Sequence, residues 1–222
     1  MTARHLVIFA RAPQIGRVKR RLAEQIGAAA AARFYRATVV EQITRLSKDG
    51  RWTVWLFATP DDALDHPAWR SVPRSRIRQQ GRGDLGQRMK RPFHLLPPGP
   101  VVLVGSDIPA MRAHHIARAF HLLGRHDLVF GPASDGGFWL VGARRGRPLP
   151  RSLFARVRWS TAEALADTRR TIPSAFSVGL ADRLDDVDDA DDLRRYQERL
   201  RLRSSSSPRT LANTESQSPD LG

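Results

Sequence analysis

Pro100-Val101-Val102-Leu103-Val104-Gly105-Ser106-Asp107-Ile108-Pro109 is an unbroken apolar run that ends on a carboxylate. A run of this kind, bounded by proline and glycine, reads as a strand buried on both faces, the habit of parallel sheets. In open α/β sheets ligands bind beyond the carboxyl ends of the strands, so Asp107 stands where chemistry is expected. With Ser106 beside it, the carboxylate suits a hard cation or a sugar hydroxyl. The alternative at this position is an Asx-type cap that opens the helix that follows.

Strand-like and helix-like stretches alternate on both sides of this run. Leu6 to Ala10 and Thr53 to Ala58 read as strands, with Val18 to Leu46 between them as one or two helices. The pattern then predicts a helix over Asp61 to Arg70, a short strand over Arg76 to Gln80, and a helix over Leu85 to Leu96 stopped by Pro97-Pro98-Gly99. Beyond Asp107 it predicts a helix from Ala110 to Leu123 and strands at Asp127 to Gly131 and Phe138 to Gly142. Strands separated by helices imply βαβ units, an α/β class and a mostly parallel sheet.

The 222 residues suit one domain, expected over residues 1–203. Past Arg203 the chain turns to Ser204-Ser205-Ser206-Ser207-Pro208 and stays polar, so 204–222 is expected to be a disordered tail. Cysteine is absent, which excludes disulfides, thiolate metal sites and a cysteine nucleophile and fits a cytoplasmic protein. No apolar run approaches the ~18 residues of a membrane span, so no membrane partner is expected. The net charge of +15 invites a nucleic-acid reading. Arginine is spread over nearly every segment, however, and no aromatic-interleaved RNA motif or zinc knuckle is present, so no specific nucleic-acid partner is expected.

Four motifs carry chemistry. Arg11-Ala12-Pro13-Gln14-Ile15-Gly16-Arg17-Val18-Lys19-Arg20-Arg21 leaves the first strand for a helix and reads as a phosphate cradle. Its ligands are expected to be Arg11, Gly16, Lys19 and Arg21, with Arg17 a secondary candidate. It is not a Walker A loop. Gly81-Arg82-Gly83-Asp84-Leu85-Gly86 matches a dinucleotide fingerprint only weakly, because the strand before it is short and polar. Gly83 and Asp84 remain candidate substrate contacts, with Asp84 equally readable as a helix cap. Ser134-Asp135-Gly136-Gly137 is a tight turn whose glycines allow Asp135 to face a ligand, so Gly136 and Gly137 join Ser106 as expected substrate contacts. Last, Asp185-Asp186-Val187-Asp188-Asp189 opens a helix that Asp189 is expected to cap; in an extended segment Asp186 and Asp188 point the same way and can share a cation with Asp107.

Taken together, F-A-R-A-P-x-x-G-x-V-K-x-R-L at 9–22, Q-G-x-G-D-L-G-x-R-M at 80–89, G-S-D-I-P, G-P-x-x-D-G-G-F-W-L-V-G, Trp159-Ser160-Thr161 and D-V-D-x-x-x-D-L at 186–193 resemble a bacterial family of GT-A-fold glycosyltransferase-like proteins. That family is often named after an arsenosugar-biosynthesis glycosyltransferase. It is similar in turn to molybdenum-cofactor and phospholactate guanylyltransferases. The resemblance implies a Rossmann-like three-layer nucleotide-diphospho-sugar transferase sandwich, with Mg²⁺ or Mn²⁺ as cofactor. It implies Lys19 and Arg21 on the donor phosphates, Asp107 and Asp188 on the metal, and Asp107 and Asp135 as the catalytic carboxylates, Asp135 on the acceptor side. Gln14-Ile15-Gly16 departs from the family's proline before glycine, and Arg20 replaces its usual threonine.

The expected function is metal-dependent glycosyl transfer from a nucleotide-activated donor to a small-molecule acceptor. The alternatives are nucleotidyl transfer with release of pyrophosphate, and noncatalytic binding of a nucleotide or polyanion.

Overall fold

The computed structural model describes residues 2–205. Seven strands form one sheet: β1 (His5–Arg11), β2 (Thr53–Thr59), β3 (Ile77–Gln79), β4 (Val101–Gly105), β5 (Leu128–Pro132), β6 (Phe138–Ala143) and β7 (Val178–Leu180). Six α-helices accompany them: α1 (Arg20–Ile26), α2 (Ala28–Ser47), α3 (Leu85–Leu95), α4 (Ala113–Leu122), α5 (Ala164–Arg170) and α6 (Ala190–Ser205). The strand order is β3-β2-β1-β4-β6-β5-β7. All neighbours run parallel except β6, which is antiparallel to both β4 and β5.

The run that opened the sequence reading is the central strand β4, whose Val101 to Val104 are buried. One face of the sheet packs Leu6, Ile8, Leu56, Val102 and Val104 against Val39 and Ile43 of α2 and Ile116 and Phe120 of α4. The opposite face packs Val7, Phe9, Leu103, Phe130 and Val141 against Met89 and Phe93 of α3 and Leu153 and Phe154. Alternation along β1, with Val7 and Phe9 on one face and Leu6 and Ile8 on the other, produces the three layers.

Register brings the motifs together. In the β1–β4 ladder Phe9 lies opposite Gly105, so the chain leaves β1 at Arg11 on the level of Asp107. The reversed β6 begins at that same edge, which puts the turn over residues 133–137 beside them.

The structure corrects one element. Residues 61–70, expected to be helical, are a series of turns with a single 3₁₀ turn at Pro67–Trp69. Pro67 has no N–H to donate, and the His66 ring accepts the Ala68 N–H, so the segment starts a new turn where a helix would need continuity. The helix after Asp107 starts at Ala113 rather than Ala110. α6 runs to Ser205, two residues past the expected domain limit. The expected tail from 206 onward lies outside the described residues.

Candidate functional site

Asp107 caps no helix, because α4 opens at Arg112 five residues later. Its Oδ2 accepts a hydrogen bond from Lys19 Nζ at 2.8 Å. Lys19 Nζ also donates to Asp188 Oδ1 at 2.7 Å and lies 3.6 Å from Asp186 Oδ2. One ammonium thus sits among three carboxylates drawn from two distant parts of the chain. Ligand atoms from Asp107, Asp186 and Asp188 all lie within 4.8 Å of one another.

Each member is positioned by a local cause. Val187 is buried against Leu22 and Ala31, so in this extended segment Asp186 and Asp188 turn together to the other side. Asp189 then caps α6 by accepting the Asp192 N–H at 2.9 Å, as expected, while Asp192 accepts the Asp188 N–H at 3.0 Å. Lys19 stands immediately before α1 with φ +46°, a left-handed conformation that few lysines adopt. Backbone strain of this kind persists only where the surroundings over-determine it, and three carboxylates do so here.

The electrostatics follow from the geometry. Burial opposes the charge on Lys19, whose side chain is 5% exposed, but Asp107, Asp186 and Asp188 raise its pKa above the ordinary lysine value. Burial and the neighbouring charges of Asp107 and Asp188 push Asp186 up to about 7 against the pull of Lys19. Burial would also raise Asp188, but the Lys19 ammonium and its hydrogen bond hold it below the usual carboxylate range.

Two chambers meet at this cluster. The first is a polar groove of about 630 Å³ walled by Arg11, Arg17, Lys19, Arg20 and Arg21, and floored by Tyr35. The buried Tyr35 hydroxyl accepts the Arg11 N–H and donates to the Arg11 carbonyl, and it contacts Ser106 Oγ at 3.1 Å. That clamp fixes the exit of β1 against the exit of β4. The second chamber, about 260 Å³, is walled by Phe9, Leu85, Met89, Leu103, Phe138 and Trp159, with Asp107, Asp135 and Asp186 on its lining. Asp107 and Ser160 line both chambers.

Seven of the twelve expected residues line one chamber or both. Arg11, Lys19, Arg21, Asp107 and Asp188 come together around the groove, and Asp107, Asp135 and Gly137 line the apolar chamber. Asp135 Oδ1 accepts the Gly137 N–H at 2.9 Å. Gly136 has φ +84° and packs so close to Ala162 that a Cβ would stand 1.9 Å from its carbonyl oxygen. Gly16 turns the first loop with φ +75° but does not line either chamber. Gly83 and Asp84 also stay outside both. Asp84 caps α3, accepting the Gln87 N–H at 2.7 Å while Gln87 Oε1 accepts the Asp84 N–H at 3.2 Å. Ser106 contributes through Tyr35, from beneath the surface.

Sequence reasoning passed over Tyr35 and Ser160 as site residues. Tyr35 falls on the same buried stripe of α2 as Val39 and Ile43, where an aromatic looks like core. Ser160 acts by position: its φ of +61° turns the chain between the two chambers, and the only signal was its place in Trp159-Ser160-Thr161.

A family described as an uncharacterized protein conserved in bacteria (DUF2064) matches residues 42–161, more than half of the chain. The chain belongs to this family. A solved structure from Desulfovibrio desulfuricans G20, assigned by its name to the nucleotide-diphospho-sugar transferases, is 30% identical to this DUF2064 member. The alignment covers 93% of this chain and 90% of that one with a TM-score of 0.78. The fold is shared more widely. CMP:2-keto-3-deoxy-manno-octonic acid synthetase complexed with CTP superposes with a TM-score of 0.54 at 10% identity, over 90% of this chain and 98% of that one. Glucosyl-3-phosphoglycerate synthase from Mycobacterium tuberculosis, in complex with Mg²⁺ and UDP, gives 0.52 at 13% identity, over 83% and 70%. No curated protein matches the chain.

Proposed function

We propose that this DUF2064 protein transfers a glycosyl group from a nucleotide sugar to a small-molecule acceptor. The observation that carries the reading is the meeting of an arginine-walled groove with a carboxylate triad at Asp107. Guanidinium groups bind phosphate oxygens through paired N–H donors, and four arginines along one groove suit a diphosphate. The 30% identical relative, whose name places it among nucleotide-diphospho-sugar transferases, supports the same donor class.

The triad fits Mg²⁺ or Mn²⁺. Its donors are hard carboxylate oxygens that lie within 4.8 Å of one another, and the Lys19 ammonium bonded to two of them supports a site suited to positive charge. Asp107, Asp186 and Asp188 would hold the ion, which would supply Lewis-acid stabilisation of the charge on the departing diphosphate. Arg17, Arg20 and Arg21 would hold the phosphates from the opposite wall. Asp135, with Oδ1 engaged by the Gly137 N–H, would use Oδ2 to orient the acceptor hydroxyl and take its proton.

The test is product analysis with a panel of nucleotide sugars and nucleoside triphosphates in the presence of Mn²⁺. Glycosyl transfer releases a nucleoside diphosphate. Release of pyrophosphate from a triphosphate would replace this reading with nucleotidyl transfer. Retention of nucleotide binding and its Mn²⁺ dependence in Asp107→Ala would leave only a noncatalytic binder.

A further inference from the structure

Resting on the transferase reading, we propose that the acceptor is an uncharged small molecule that joins a reactive hydroxyl to an apolar or aromatic ring face, and that it binds in the chamber between Met89, Phe138 and Trp159. The chamber is an outward extension of the core on the α3 side of the sheet. Met89, Phe9 and Leu103 are core residues whose carbon surface also forms its walls, and the half-buried Trp159 meets Phe138 edge to face at 6.3 Å. Aromatic walls of this kind take up flat apolar faces.

Charge decides the class further. The chain holds 37 Lys and Arg residues, yet among the described residues none lines this chamber. Its ionisable lining is Asp107, Asp135 and Asp186. Phosphorylated or carboxylated ligands are held by Arg or Lys forks. Here an anion would give up its hydration and meet carboxylates, of which Lys19 offsets Asp107 and Asp186 only in part and Asp135 has no ion pair among the described residues. The arginines nearest the triad, Arg11, Arg17, Arg20 and Arg21, line the groove on the other side of Asp107. Diphosphate and acceptor are thereby sorted by charge into the two chambers and meet at Asp107 and Ser160, which line both. At about 260 Å³ the space suits a single ring.

The chain contains three methionines, so methyl-labelled methionine gives a simple NMR spectrum. Met89 reports on the chamber, and Met111, buried in the opposite core, serves as internal control. Benzyl alcohol is expected to shift the Met89 methyl saturably and leave Met111 in place. Benzyl phosphate should do so roughly tenfold more weakly or worse. Leu85→Lys, which sets a cation on the wall, should bring benzyl phosphate up to the affinity of the alcohol. Binding of the alcohol should persist when UDP-glucose or GDP-mannose saturates the groove. The proposal is overturned if benzyl phosphate matches the alcohol on the unaltered protein, if neither probe moves Met89, or if the nucleotide sugar displaces the alcohol. Nucleoside diphosphate binding, read separately by calorimetry, tells failure of this inference from failure of the transferase reading.

Discussion

Lys19 Nζ and Asp107 Oδ2 are 2.8 Å apart although 88 residues separate them, and this bond joins the exit of the first strand to the exit of the central one. The same ammonium also hydrogen-bonds Asp188 and lies 3.6 Å from Asp186, so a residue from the loop after β1 sits among the carboxylates that could hold a divalent cation.

Lys19→Met therefore removes the internal counter-ion of the triad. We expect the variant to lose about 2 kcal/mol of stability without divalent cations, a moderate value because Asp107 and Asp188 keep 34% and 45% of their side-chain surface exposed. Mn²⁺ should then raise its melting temperature more than that of the unaltered protein, as ligand linkage requires. Thermal unfolding with and without MnCl₂ checks this, and equal Mn²⁺ shifts would contradict it.

Arg21→Ala should weaken nucleoside diphosphate binding by roughly tenfold, the scale of one charge-assisted contact to phosphate. The dependence of affinity on salt should flatten in parallel. Titration calorimetry with UDP and GDP at two ionic strengths measures both, and an unchanged affinity would remove Arg21 from the groove's working wall.

Two glycines with positive φ separate backbone strain from crowding. Gly16 has φ +75° and open space where a Cβ would go, so Gly16→Ala should cost about 1 kcal/mol. Gly136 adds a collision with the Ala162 backbone, and Gly136→Ala should cost about 3 kcal/mol. Denaturant unfolding of the pair gives the comparison, and equal losses would mean that the contact with Ala162 does not constrain the turn.

His5 gives the fold an acid-sensitive point far from the site. Its Nδ1 accepts the Trp55 indole N–H at 3.2 Å and its Nε2 faces the Pro98 carbonyl at 3.3 Å, which requires the neutral ring protonated on Nε2. Burial, with a smaller push from Arg145, lowers its pKa against the pull of the Pro98 carbonyl. A lowered folded-state pKa means that the stabilisation is complete above the unfolded value near 6.5 and drains away as pH falls below it. Unfolding midpoints at pH 8 and pH 5.5 should diverge more for the natural chain than for His5→Gln.

The central strand and its carboxylate were legible because burial on both faces leaves a continuous apolar signature at Val101 to Val104. The pairing of Asp186 with Asp188 was legible through the period of an extended chain, with Val187 as the inward member. β7 was not, since Val178-Gly179-Leu180 is three residues long with a glycine at its centre and shows no period. Neither was the inward turn of Lys19: composition groups it with the arginines of its loop, and only the left-handed backbone at that residue aims it at Asp107. The helix read into 61–70 failed at Pro67, where a local breaker outweighed the surrounding pattern.

The single reversed strand, β6, has a consequence for how such proteins diversify. Its reversal sets the turn over 133–137 beside the exit of β4, whereas the residues lining the arginine groove come from the first third of the chain apart from Asp107, Ser160 and Asp188. The aromatic chamber draws Asp135, Phe138, Trp159 and Asp186 from the later part. A descendant could change the lining of that chamber by redrawing one hairpin and the stretch around Trp159, while Arg11, Arg17, Arg20 and Arg21 of the groove stayed in place.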